Sequence, residues 1–199
     1  MSSVTCQITI SLDGYAAGPN QSLDEPLGEG GERLHTWMFE PAGAADVRAR
    51  ERVLEGVGAF VMGRKMFGGG DGDWDREWRG WWGEDPPYHA PVYVLTHHPR
   101  EPLKMEGGTT FHFETDGIES ALEQARAAAG DADVGIAGGA STVQQYLAAG
   151  LLDELDLHIS PVLLGAGERL FENLGDVRLE PVEALGTRAA THVRYRVVR

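Results

Sequence analysis

Cysteine, basic residues and long apolar runs are what this sequence has least of. Cys6 is its one cysteine, so no intramolecular disulfide can form, and the paired cysteines of a structural zinc site or a zinc-dependent base deaminase are missing. No stretch approaches the roughly 20 apolar residues of a membrane span. Met1 to Leu12 alternates polar and apolar residues, without the basic start and apolar core of a secretory signal. A cytoplasmic location is expected, with no membrane partner. Lys and Arg number 17 against 31 Asp and Glu, a formal net charge of -14, and that excess repels phosphate backbones and anionic lipid. Nucleic acid is therefore not an expected partner, and a phosphate-bearing ligand needs a local basic pocket.

Several motifs are missing as well. No register satisfies Gly-x-Gly-x-x-Gly, since Gly68-Gly69-Gly70 is followed by Asp73 where the last glycine should fall. Gly58 to Lys65 has the glycine spacing of a P-loop, but Arg64 and Lys65 occupy the Lys and Ser/Thr positions and the middle reads as a strand. Gly139-Ala140-Ser141 lacks the second glycine of a hydrolase nucleophile elbow. His97-His98 has no third ligand at helical spacing, so no metal is expected.

What is present reads as one α/β domain over residues 1–199, with an aromatic insertion at about 68–90. At this length a single domain buries about 70% of its unfolded surface. Val4, Cys6, Ile8 and Ile10 alternate with polar residues in the period of a strand. A breaker-rich loop (18–31) and a short helix or turn (33–39) follow. Helices are expected over 44–55, from a cap at Asp116, and over 141–149; strands at 57–62, 92–95, 109–113, 134–137, around 155–159, at 177–181 and at 190–198. The alternation at 155–159 predicts one wet face, and the last two strands predict an antiparallel hairpin. Trp74, Trp78, Trp81 and Trp82 lie in the insertion and are expected to cover apolar surface.

Three strand ends carry residues suited to an anion: Gly63-Arg64-Lys65, Thr96-His97-His98 with Arg100 beyond, and Gly138-Gly139-Ala140-Ser141-Thr142. Glycines admit close approach, and helix starts offer free N–H groups. Each alone is also what an ordinary loop looks like. Jointly they point to an extended anionic ligand, because ligands of open α/β sheets lie outside the carboxyl ends of the strands.

Four segments in order, Ser11 to Gly18, Met62 to Phe67, Pro91 to His97, and Gly138-Gly139-Ala140 continuing through Gly150–Leu155 to Pro161–Gly165, resemble the dihydrofolate reductase superfamily. The closer resemblance is to the branch containing the reductase domain of the bifunctional deaminase/reductase of riboflavin synthesis. It implies a three-layer αβα sandwich with a mixed, mostly parallel central sheet. It also implies NADPH held by Ala17, Gly63, Arg64, Lys65, Met66, Leu95, Thr96, His97, Gly138, Gly139, Ala140, Ser141 and Thr142, a small-molecule substrate, and a homodimer. The same strand ends would equally suit a deazaflavin.

The expected activity is hydride transfer to a small heterocyclic or sugar-linked substrate. Asp13, His35 and Glu40 are the candidate acids or bases, Asp13 also fitting a plain Asp-Gly turn, and Trp37 and Phe67 are candidates to flank a planar substrate. Dihydrofolate reductases carry an acid about three residues before a tryptophan; if that tryptophan is Trp37, Leu34 stands in the acid's place. Met66 and Val143 also depart from that pattern. Two alternatives follow: a catalytically silent dinucleotide-binding module, and a true dihydrofolate reductase.

Overall fold

The structure, a computed structural model, describes residues 2–70 and 72–198. In chain order it contains β1 (Val4–Ser11), β2 (Tyr15–Ala17), a 3-10 turn (Gly31–His35), α1 (Thr36–Phe39), α2 (Ala44–Arg52), β3 (Val57–Gly63) and α3 (Arg64–Phe67). Next come β4 (Pro91–Leu95), β5 (Leu103–Lys104), a 3-10 turn (Glu106–Gly108), β6 (Thr110–Glu114), α4 (Ile118–Ala129), β7 (Asp133–Gly138) and α5 (Ala140–Ala148). The chain ends with β8 (Glu154–Ser160), β9 (Glu168–Arg169), β10 (Arg178–Gly186) and β11 (Thr191–Val198).

Nine strands form one sheet in the order β10-β11-β8-β1-β7-β3-β4-β6-β5, and β2 pairs with β9 separately. The run β8-β1-β7-β3-β4-β6 is parallel throughout. The predicted closing hairpin is there: β10 and β11 pair antiparallel, and β11 joins antiparallel to β8.

The alternation in β1 sets up two different sheet faces. Val4, Cys6 and Ile10 enter a core shared with Ala121, Leu122 and Ala125 of α4 and Val143, Tyr146 and Leu147 of α5. Burial of this apolar area is the main stabilising term. The opposite face is covered in two parts. Over β3, β4 and β6, Phe60, Met62, Val92, Val94 and Phe111 pack with Phe67 and with Trp74, Trp78, Trp82 and Tyr88, so the tryptophan segment covers apolar surface as expected. Over β1, β8 and β11, the turn before α1, α1 itself and α2 cover a polar face. Between these two covers the sheet is open.

Some boundaries differ from expectation. The helix at 44 ends at Arg52, short of Gly56. Asp116 does not cap α4; Gly117 occupies that position without any side-chain bond. The face of β8 expected to be wet is largely covered: Asp156 and His158 are 8% and 2% exposed, under Arg52 of α2 and Trp37 of α1, while Glu154 at the start of the strand is half-buried. β2, β5 and β9, of two or three residues, are too short to show a period.

Candidate active site

Because β7, β3, β4 and β6 are parallel neighbours, their carboxyl ends line up, and the three anion-suited turns come together there. They line a cleft of about 1140 Å³ that continues onto the open sheet surface. All thirteen residues expected around a cofactor line it: Ala17, Gly63 to Met66, Leu95 to His97 and Gly138 to Thr142. Among the described residues α4 and α5 both begin at the cleft, at Gly117 and Gly139, and neither start has a side-chain cap. Uncapped starts leave N–H groups and the positive end of the helix dipole for an anion.

The glycines have separate reasons. A Cβ on Gly63 would lie 2.5 Å from Thr142 Oγ1, so the first turn of α5 packs directly on β3. A Cβ on Gly139 would meet no atom within 4 Å; the space it borders is cleft. The Gly138–Gly139 peptide is cis.

The cations are already oriented. Arg64 donates from Nε to Gly70 O (2.8 Å), from one terminal nitrogen to Gly72 O (2.6 Å) and from the other to Thr96 Oγ1 (3.3 Å). Its guanidinium stacks 3.6 Å from the Trp74 ring centroid. Lys65 Nζ lies 2.9 Å from Glu168 Oε1, a pair that an incoming phosphate would have to open. Arg100 is not part of the cleft; it donates to Arg76 O and Trp78 O inside the tryptophan segment.

The sheet end of the cleft is polar. Gln7 and Thr9 of β1, His35 and His158 line it, together with apolar Leu54, Phe60, Trp82 and Tyr88. Gln7 donates to Arg52 O (2.7 Å), while its Oε1, His35 Nδ1 and His158 Nε2 are buried without a partner. Such groups are costly unless something completes them. Burial lowers the His35 pKa, so that ring is held neutral.

The other expected site residues lie elsewhere. Asp13 accepts from the N–H groups of Leu164 (3.1 Å) and Gly165 (2.7 Å); the Ser11 hydroxyl and these amides hold its pKa at about 2, and it ties the turn after β1 to the segment after β8. Glu40 is exposed and outside the cleft. Trp37 and Phe67 are both fully buried and line no part of it: Trp37 packs on His158 and His192 with ring centroids 4.5 and 5.0 Å away, and Phe67 packs among Trp74, Phe111 and Phe113. Of the three candidate acids, the structure brings only His35 to the cleft.

A model of the RibD C-terminal domain matches residues 2–192. The chain belongs to the RibD C-terminal domain family. Among solved structures, a Shewanella sp. PV-4 protein provisionally assigned to riboflavin biosynthesis superposes with a TM-score of 0.66 at 25% identity, covering 99% of each chain. The deaminase/reductase of Thermotoga maritima gives 0.60 at 15% identity, and this chain spans 57% of that longer protein. Dihydrofolate reductase of Enterococcus faecalis, solved with NADP(H), gives 0.58 at 15% identity over 98% of this chain and 96% of that one. No curated protein matches significantly. The dihydrofolate reductase-like fold and the riboflavin-reductase branch expected from the sequence are thus both found.

For this RibD-type domain, sequence reasoning missed two parts of the cleft. Glu114, Thr115, Gly117 and Ile118 at the end of β6 line it; the strand-end argument already used for β3, β4 and β7 would have reached them. Gln7, Thr9 and His158 were hidden because the polar residues of an alternating strand read as solvated.

Proposed function

We propose that the protein is an NADPH-dependent oxidoreductase that transfers a hydride to a C=N, C=C or C=O bond of a small heterocyclic or sugar-linked substrate. The observation that carries this reading is the single cleft that joins the anion-suited strand ends to a polar patch of sheet. At about 1140 Å³ it exceeds the roughly 300–1,000 Å³ of a typical one-ligand pocket, which fits a dinucleotide and a second molecule side by side.

The residues present suit the cofactor. The unobstructed space at Gly139 and the uncapped starts of α4 and α5 would receive the pyrophosphate, and Arg64, Lys65 and His97 would favour the form bearing the extra 2′-phosphate. When bound, the nicotinamide supplies the hydride. The protein's own part is placement: Phe60, Trp82 and Tyr88 form an apolar wall for a planar ring, and Gln7, Thr9 and His35 offer hydrogen bonds to its edge. With Trp37 taken as the tryptophan that follows the folate-reductase acid, Leu34, fully buried, stands in that acid's place, which speaks against dihydrofolate as substrate. A homodimer is proposed with this reading on the resemblance alone, and a monomeric mass in solution would remove that part.

Two experiments test the reading. NADPH should bind more tightly than NADH, and equal affinity would contradict the assigned role of Arg64 and Lys65. A panel of pterins, pyrimidines and quinones, followed by loss of NADPH absorbance and a product two hydrogens heavier, should yield at least one substrate. NADPH binding without turnover of any of them would favour the silent module.

A further inference from the structure

Behind the polar end of the cleft lies a buried chain of three titratable side chains that the cofactor reading leaves unused. Asp46 of α2 is fully buried. Its Oδ2 accepts from the N–H groups of Ala42 (2.7 Å) and Gly43 (3.1 Å), and its Oδ1 from Thr187 Oγ1 (2.8 Å) and His192 Nε2 (2.8 Å). His192 Nδ1 lies 2.9 Å from His158 Nδ1. His158 Nε2 is the unpartnered end, on a side chain 2% exposed. Trp37 packs over both rings and donates to Thr9 Oγ1 (3.2 Å), so no alternative partner intrudes.

The donor and acceptor roles follow from the carboxylate. Asp46 accepts four bonds, so His192 Nε2 carries a hydrogen. While His192 is neutral its Nδ1 has only a lone pair, His158 must donate from Nδ1, and His158 Nε2 is a bare acceptor. When His192 takes up a second proton, its Nδ1 becomes the donor, His158 must accept there, and the His158 hydrogen moves to Nε2. The protonation of His192 thus fixes which nitrogen of His158 carries its hydrogen.

Two cavities meet the chain. A second cavity of about 190 Å³, rimmed by Arg48, Glu51 and Glu55 of α2 and its continuation, reaches both histidines. Among the described residues His158 alone lines both this cavity and the main cleft. With Nδ1 turned to β11, the ring edge bearing Nε2 faces the other way.

We propose that Asp46, His192 and His158 form a buried proton relay at the wall of the cleft, with His158 Nε2 as the atom that hands the proton to the reduced substrate. The identity of the acceptor rests on the reductase reading; the relay itself does not. For a C=N acceptor, the carbon gains a hydride from the reduced nicotinamide, the π pair moves to nitrogen, and a new N–H bond forms as His158 Nε2–H breaks. His158 Nδ1 takes the Nδ1 proton of His192, which is left neutral with its Nε2–H on Asp46. The starting state returns when His158 Nε2 takes up a proton from the cleft as the His158 Nδ1 proton passes back to His192 Nδ1. The acceptor is reduced by two electrons and the nicotinamide oxidised by two. Asp46 and His192 are positioning residues here.

Charged neighbours pair among themselves around the relay. Arg52 contacts Asp156 (2.9 Å) and Glu183 (3.3 Å), and Arg194 reaches Glu183 at 4.0 Å. From the cleft side His35 adds a further titratable ring, and burial, with the Arg52 charge nearby, keeps the His158 ring from becoming cationic. It therefore passes a proton by exchanging tautomers.

The test is a pH titration of the ligand-free, ¹⁵N-labelled protein, following the imidazole nitrogens by long-range proton–nitrogen correlation. The expected result is His158 protonated at Nδ1 at high pH and at Nε2 once His192 is doubly protonated, both changes in one titration step. Asp46→Asn should move that step to lower pH; should that variant not fold, His192→Gln should hold His158 in one tautomer throughout. A His158 ring protonated at Nε2 at every pH, or switching independently of His192, would overturn the relay and leave the reductase reading intact. Failure to bind NADPH would do the reverse. With any substrate found, His158→Gln should lower kcat by about 100-fold or more with little change in KM; an unchanged kcat would remove His158 as the donor.

Discussion

At the scale of single residues, the cleft separates groups that hold the fold from groups that await a ligand. Gly139 belongs to the second kind: its φ of -74° is ordinary, and a Cβ there touches nothing. Gly139→Ala should therefore change unfolding free energy by less than about 1 kcal/mol, while placing a methyl where a pyrophosphate would lie. NADPH titration of this variant should show affinity lowered about tenfold or more with thermal unfolding barely moved. His158 makes a different prediction. Burial, with the neighbouring charges of His192 and Arg52, pushes its pKa from 6.5 down to about 3. As pH falls below 6.5 the unfolded chain takes up a proton that the native ring refuses until about pH 3, so stability is full above that window and is lost on acidification, by up to about 1.4 kcal/mol per pH unit. Urea unfolding at about pH 7 and about pH 5 should show His158→Gln losing less stability on acidification than the parent. An equal loss would mean that His158 is protonated in the native state.

At the scale of elements, α2 is tied to the sheet by polar bonds more than by apolar area, since Asp46 and Ala49 are its only fully covered side chains. Burial alone would raise the Asp46 pKa, but the bonds from His192, Thr187 and Ala42 outweigh it and hold the carboxylate ionised. Removing it in Asp46→Ala takes the acceptor from the buried His192 Nε2–H and from the part-buried N–H groups of Ala42 and Gly43, and should cost about 2 kcal/mol or more, read from denaturant unfolding. The tryptophan segment is tied by stacking instead. Trp74 donates to His98 O (2.7 Å) and carries the Arg64 guanidinium on its face. Trp74→Leu should keep most of the apolar burial yet remove the stacking surface beneath Arg64, weakening NADPH binding more than it lowers stability. Neither tie was legible in the sequence. The four tryptophans announced a cover for apolar surface, but which arginine would stack on them depends on how the segment folds back. The partners Asp46 and His192 are 146 residues apart, and no local pattern joins them.

For the whole molecule, the sequence was informative where a property is periodic or local and uninformative where it depends on layering. The alternation of β1, β8 and β11 and the closing hairpin were legible, the glycine punctuation pointed to three strand ends, and the family resemblance supplied the thirteen cofactor-suited residues that meet in one cleft; the order of the nine strands was not legible. The polar sides of those same strands read as solvated, because alternation cannot tell a wet face from one that helices cover; hence Thr9, His158 and His192 were overlooked. Trp37 and Phe67 read equally as substrate-flanking or core aromatics in the sequence, and both are core. The central claim is that the aligned ends of β3, β4 and β7 are a dinucleotide site. Titrating the purified protein with NADPH and NADH, by nicotinamide fluorescence and tryptophan quenching, for the parent and for Arg64→Ala, tests it most directly. The account predicts micromolar NADPH binding, weaker NADH binding, and a loss of about tenfold or more in the variant, the equivalent of one charge-assisted contact of about 1.5 kcal/mol. Binding of neither nucleotide, or NADPH binding indifferent to Arg64, would contradict it.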